Sequence, residues 1–175
     1  MLREAGYAFT VAPPGDEGRA DGLAPAALAL ALARRKAGLV AAGRPGRLIL
    51  AADTMVDLDG RPLGKPAGVA EAENMLVALS ARWHLVHTGC CLLRDGRTIW
   101  AETVSTEVLF RRLDHDEIAA YAATGSPLDK AGAYGIQDLG GSLVKDIRGS
   151  YTNVVGLPMA EVVSALAEAG VRPEA

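Results

Sequence analysis

Three short stretches hold polar residues that packing alone would not require: A-A-D-T at Ala51–Thr54, G-K-P at Gly64–Pro66 and D-K-A-G-A-Y-G-I-Q at Asp129–Gln137. Asp53 follows the apolar run Leu48–Ala52, which reads as a strand buried on both faces. A carboxylate where such a strand stops can activate a water or bind a divalent metal, because open α/β sheets place ligands at that edge. It can equally cap the following turn, and spacing alone leaves both readings open. Lys65, held between Gly and Pro, is either a point charge for phosphate or a solvated loop lysine. The third run is richer. Its glycines let backbone amides approach a ligand, Lys130 adds charge, Tyr134 offers a stacking face, and the Gln137 amide can donate and accept at a base edge. Turn chemistry accounts for the glycines but not for Lys, Tyr and Gln together.

Other reactive residues point less clearly to a site. His84 and His87 are three apart on a predicted strand, so they face opposite sides and make poor co-ligands. His115 opens a helix and reads as surface. Cys90 and Cys91 alternate faces, so at most one is expected to be buried, and neither has an identifiable base beside it. Arg111 and Arg112 close a strand and read as solvated. No G-x-S-x-G elbow is present.

The elements that must position these residues follow from pattern. Tyr7–Val11 reads as a strand, followed by a P-P-G-D-E-G loop at Pro13–Gly18. Pro25–Val40 is an Ala/Leu-rich helix with Arg34, Arg35 and Lys36 towards its negative C-terminal end. Asp59-Gly60 and Asp95-Gly96 are hairpin turns between apolar runs. Val69–Ser80 repeats at helical spacing, Asp114 and Glu117 resemble a capping box, and Pro158 opens a last helix. Helices alternating with strands and interrupted by two hairpins predict an α/β fold with a mixed sheet, flanking helices and a ligand cleft.

At 175 residues and 18.2 kDa the chain is one domain, residues 1–175. Area scaling has it burying roughly 69% of its unfolded surface, a sizeable core without metal or disulfide staples. A net charge of −3 argues against a nucleic-acid partner, and an anionic substrate then needs a local cationic pocket or a metal. Two adjacent cysteines make no disulfide framework, so the expected setting is reducing and cytoplasmic. The longest apolar stretch, Leu23–Ala33, is too short for a bilayer and contains Pro25, so no membrane is expected. The first residues lack a signal core.

Taken together, Ala52–Thr54, Gly64–Pro66, Asp129–Gln137 and the G-S-Y…V-V-G-L-P of Gly149–Pro158 resemble the Maf family of nucleoside triphosphate pyrophosphatases, in order and in spacing, over essentially the whole chain. A-D-T with A-Y-G-I-Q is similar to its dTTP/UTP subgroup. The resemblance implies hydrolysis between the α and β phosphates, giving a nucleoside monophosphate and pyrophosphate, with Mg²⁺ or Mn²⁺ bridging substrate and carboxylates. It implies Asp53 as general base, Thr54 and Gln137 as pyrimidine selectors, and Lys65 and Lys130 on the phosphates. Lys36 and Glu17 would line the site, with Glu17 and Asp53 at the metal. A homodimer is the implied assembly. Family members begin with an apolar strand and S-x-S-P-R-R, whose hydroxyls, amides and arginine bind the triphosphate. Here M-L-R-E-A-G-Y matches only the remainder of that first helix. A misassigned start codon or a shortened chain would each account for this. Lacking that strand, the sheet is expected to have an exposed edge, with poor solubility or self-association as the consequence. Asp138 stands where Gly is usual and puts a negative charge beside Gln137. The alternative from another class is a non-catalytic nucleotide-binding or regulatory protein that keeps Gln137 and the lysines.

Overall fold

The apolar run that begins at Leu48 does not stop at Ala52. In the computed structural model it continues as an eleven-residue strand, β1 (Leu48–Leu58), which turns at Asp59–Gly60 into β2 (Arg61–Leu63). Both turn residues hold positive φ, 56° and 80°, as a two-residue hairpin requires. The second Asp-Gly turn joins β3 (Trp83–Arg94) to β4 (Arg97–Phe110), and β5 (Val144–Arg148) completes one sheet in the order β2–β1–β3–β4–β5. The structure describes residues 1–15, 18 and 22–174.

The α/β class is as expected, but the parallel component of the expected mixed sheet is not found among the described strands. All four pairings are antiparallel, because each hairpin and each helical return brings the chain back in the opposite direction. The strand expected at Tyr7–Val11 is irregular chain outside the sheet. Tyr7 is drawn into an apolar cluster while Phe9 and Val11 are exposed, and no described strand lies beside them to make a ladder. On the outer side of β1, β2 pairs with Val56–Leu58, and no other described strand lies there.

Helix α1 (Pro25–Ala41) crosses one face of the sheet. Its stripe of small residues, Ala29, Ala33 and Ala37, is fully buried; Ala33 and Ala37 pack against Ile49, Cys91 and Leu93. The approach is closest at Gly89 of β3, where a Cβ would lie 2.4 Å from the Leu30 amide nitrogen and 2.5 Å from the Ala29 carbonyl carbon. The helix runs a turn beyond the expected cations and its last turn holds no basic residue, so Lys36 does not serve the helix dipole.

The opposite face is covered twice. Helix α5 (Met159–Glu168) packs on Leu48, Leu50, Ala52, Cys90 and Leu92. Helices α2 (Val69–Leu79) and α3 (His115–Ala123) pack on Val56, Leu58, Val86, Val108 and Phe110. Asp114 caps α3 by accepting from the Glu117 amide at 2.8 Å, as the sequence pattern predicts. With helices on both faces of β3, Cys90 and Cys91 are both fully buried, which corrects the expectation of at most one. The short helix α4 (Tyr151–Val155) sits between these clusters, its Asn153 wholly buried. Among the described residues no helix is long and apolar enough to cross a membrane.

Gly89→Ala forces backbone against backbone and must lift α1 from the sheet. We expect a loss of about 1–3 kcal/mol of unfolding free energy, measured by urea denaturation. An unchanged midpoint would contradict the close approach.

Candidate active site

Side chains alternate along β1, so Ala51 and Met55 face α1 while Ala52, Thr54 and Val56 face the other side. Asp53 and Thr54 therefore point to opposite faces, yet both line a single cavity of about 270 Å³. One cavity reaches both only by wrapping around the outer edge of β1, upstream of the three residues that β2 covers. Asp53 is not at a strand end, as the apolar run Leu48–Ala52 suggests, but in mid-strand, beside the part of the β1 edge that β2 does not cover. Lys36 reaches across from α1 and its Nζ lies 2.5 Å from Asp53 Oδ1. The salt bridge joins helix to strand on the wall of the cavity, with the lysine side chain 25% exposed and the carboxylate 14%.

The opposite wall comes from the Asp129–Gln137 run. Gly132 has a φ of +68°, and a Cβ there would meet Val56 at 2.8 Å, so the loop lies directly on β1. Its N–H donates to the Gly64 carbonyl at 3.0 Å. That bond corrects the reading of this amide as ligand-facing; instead it ties the D-K-A-G run to the G-K-P loop and brings Lys65 and Lys130 to one cavity. Lys130 Nζ lies 2.8 Å from Asp129 Oδ1 and 3.8 Å from Asp138 Oδ2. Its hydrogen bond to Asp129 raises the lysine pKa and lowers that of the aspartate. The negative charge of Asp138 beside Gln137 is thus partly countered by Lys130.

Tyr134 is not the free stacking face that its position suggested. It is buried, 2.8 Å from His84 Nε2 through its hydroxyl, and edge-on to Phe110 at 4.7 Å between centroids. It anchors the loop in the core. The apolar wall of the cavity is Val56, Val86, Ile136, Val154 and Val155. His84 and His87 point apart as expected: His87 is engaged with Ser105 at 2.7 Å and Asp57 at 3.2 Å. Burial and nearby carboxylates push the Cys90 thiol up to about 12, which removes it as a nucleophile.

Lys36, Asp53, Thr54, Lys65, Lys130 and Gln137 all line the one cavity, whereas Glu17 lies outside the described residues. Sequence reasoning missed Thr88, which meets Thr54 hydroxyl to hydroxyl at 2.9 Å, and Asn153 behind it. A threonine in a strand carries no signal beyond β-propensity. Among the described residues no three His, Cys, Asp or Glu side chains cluster to hold a metal by themselves.

This arrangement of three lysines, three carboxylates (Asp53, Asp129 and Asp138) and an apolar wall can hold a ligand with phosphates and a planar group and present a base to a water. The family profile of Maf-like proteins covers residues 1–169. The chain belongs to the Maf-like family. This Maf-like chain is 49% identical over 173 residues to a protein of Moorella thermoacetica named dTTP/UTP pyrophosphatase, spanning 98% of the chain and 89% of that relative. A Thermococcus gammatolerans protein of the same name is 49% identical over 162 residues, 93% of the chain and 85% of the relative. A third, from Thermus thermophilus, is 46% identical over 173 residues, 99% and 90%.

The loop anchor makes stability pH-dependent. Burial pushes the His84 imidazole down from 6.5 to about 4, so the fold holds it neutral. Its contribution is complete above about pH 6.5 and is lost as pH falls towards about 4, by up to roughly 3 kcal/mol. Urea unfolding of the protein and of His84→Gln between pH 7 and 4.5 checks this: the variant should lose less stability on acidification. Equal losses would contradict it.

Proposed function

We propose that this chain hydrolyses a pyrimidine nucleoside triphosphate, dTTP or UTP, at the bond between the α and β phosphates, releasing the monophosphate and pyrophosphate. The observation that carries the reading is the convergence of Asp53 with Lys36, Lys65 and Lys130 on one cavity that also holds Thr54 and Gln137. Relatives at 46–49% identity over nearly the whole chain bear the same activity in their names, which does not favour a purely nucleotide-binding protein.

In this mechanism the Asp53 carboxylate takes the proton of the attacking water. Lys36 fixes its direction through the 2.5 Å contact, so the base is held ready without reorganisation. Lys65 and Lys130 receive the phosphates. Lys130 is held by Asp129, whose side chain is 75% exposed, and an exposed ion pair is worth only about 0–1 kcal/mol. Phosphate oxygens can displace that carboxylate at small cost. Thr54 and Gln137 meet the base edge, and the valines take its faces.

The donor set suits a hard divalent cation. Mg²⁺ is commonly bound by one or two carboxylates plus substrate phosphates, and in this reading Asp53, one of three carboxylates lining the cavity with Asp129 and Asp138, would supply that ligand. Such an ion would neutralise charge developing on the phosphates. The reading also places the protein in the cytoplasm, supported by two free buried thiols, with a second copy of the chain as its protein partner.

Asp53→Asn keeps the shape and removes the proton acceptor. Pyrophosphate release from UTP and dTTP with Mn²⁺ is expected to fall about 10²- to 10⁴-fold while nucleotide affinity stays within a few-fold. Undiminished turnover would remove Asp53 from the chemistry.

A further inference from the structure

The hydroxyl of Thr54 is not free to choose its role. Behind it lies a chain of buried hydrogen bonds running from β1 through β3 to α4. Thr88 is fully buried and its Oγ1 donates to the backbone carbonyl of Asn153 at 2.9 Å. A carbonyl can only accept, so the single proton of the Thr88 hydroxyl is committed to that bond. The 2.9 Å contact between Thr54 Oγ1 and Thr88 Oγ1 then has one possible polarity: Thr54 donates and Thr88 accepts. The Asn153 carbonyl is itself fixed. The same residue's side-chain amide donates to the Val86 carbonyl and to Thr106 Oγ1, each at 3.0 Å, using both of its N–H groups and locking α4 to β3 and β4. What remains of Thr54 towards the cavity is lone pair only.

We propose that Thr88 and Asn153 are positioning residues that lock the Thr54 hydroxyl as an acceptor. The site thereby selects a base carrying a ring imide N–H and rejects one of the same shape whose ring nitrogen carries a lone pair. This rests on the pyrophosphatase reading and adds to it the source of discrimination between uracil or thymine and cytosine. An imide N–H donates to the Thr54 oxygen, whereas the cytosine ring nitrogen would set lone pair against lone pair in a cavity walled by Val56, Val86, Val154 and Val155. A buried polar mismatch of that kind discriminates more strongly than a missing methyl group does. Thr88 touches no substrate in this account and acts through Thr54.

The test is the ratio of kcat/KM for UTP over CTP in the protein, in Thr88→Val and in Thr88→Ser. Valine keeps the volume and deletes the acceptor, freeing the Thr54 proton to turn into the cavity. The ratio should fall at least about tenfold in Thr88→Val and stay within about twofold in Thr88→Ser, which retains the hydroxyl. A second measurement needs no variant. The imide of 5-fluoro-UTP ionises at lower pH than that of UTP, so its kcat/KM should decline at correspondingly lower pH, while the ionisations of the protein are common to both substrates. A Thr88→Val ratio equal to that of the unaltered protein, or coincident alkaline limbs for the two substrates, overturns the proposal. If the unaltered protein hydrolyses no UTP, the pyrophosphatase reading fails and the proposal with it. UTP turnover with an unmoved ratio overturns only the hydroxyl relay.

Discussion

The site depends on how closely one helix approaches the sheet. Lys36 meets Asp53 at 2.5 Å only because α1 lies almost on the backbone of β3, and that approach is possible because Ala29, Ala33 and Ala37 face a strand carrying Gly89. Packing sets the distance and the ion pair uses it. The energetic worth of the pair itself is modest, since both groups retain some exposure. Its value is directional: it fixes the orientation of a carboxylate on the cavity wall.

The cavity exists because the other face of the sheet is covered by two separate apolar clusters rather than one. Helix α5 takes the Leu48–Ala52 end of β1, while α2 and α3 take the Val56–Leu58 end, and the seam between them falls at Thr54. Short α4 occupies part of that seam and supplies Asn153, whose buried hydrogen bonds reach both β3 and β4. The Asp129–Gln137 loop closes the remainder, pinned at Gly132 to the G-K-P loop and at Tyr134 to His84 in the core. Each anchor is an interior contact, so Lys130 just before the pins and Gln137 just after them are displayed on a rigid frame, as catalytic geometry requires.

Much of this was legible in the residues. The two Asp-Gly hairpins, the apolar helices, the Asp114 cap and the co-location of Asp53, Thr54, Lys65, Lys130 and Gln137 follow from local patterns or from resemblance to a family. Depth and direction did not follow. Tyr134 in a polar, glycine-rich run looks exposed, yet its ring finds Phe110 and His84, which lie far away in sequence. Asp53 looks like a strand terminus because the apolar run ends there, but β1 carries on through Thr54 and Asp57, polar residues that their own hydrogen bonds satisfy. Cys90 and Cys91 could not be assigned to one buried face because both faces are covered, by helices about fifty residues away in sequence on one side and about seventy on the other. Tertiary contact, not local periodicity, decides all three.

Product identity is the most direct measure of the account. With UTP or dTTP and a divalent cation, chromatographic separation of the products should yield the nucleoside monophosphate and pyrophosphate in equal amounts, with no diphosphate nucleotide at any stage. Formation of the nucleoside diphosphate with orthophosphate, or substrate left intact, would contradict it.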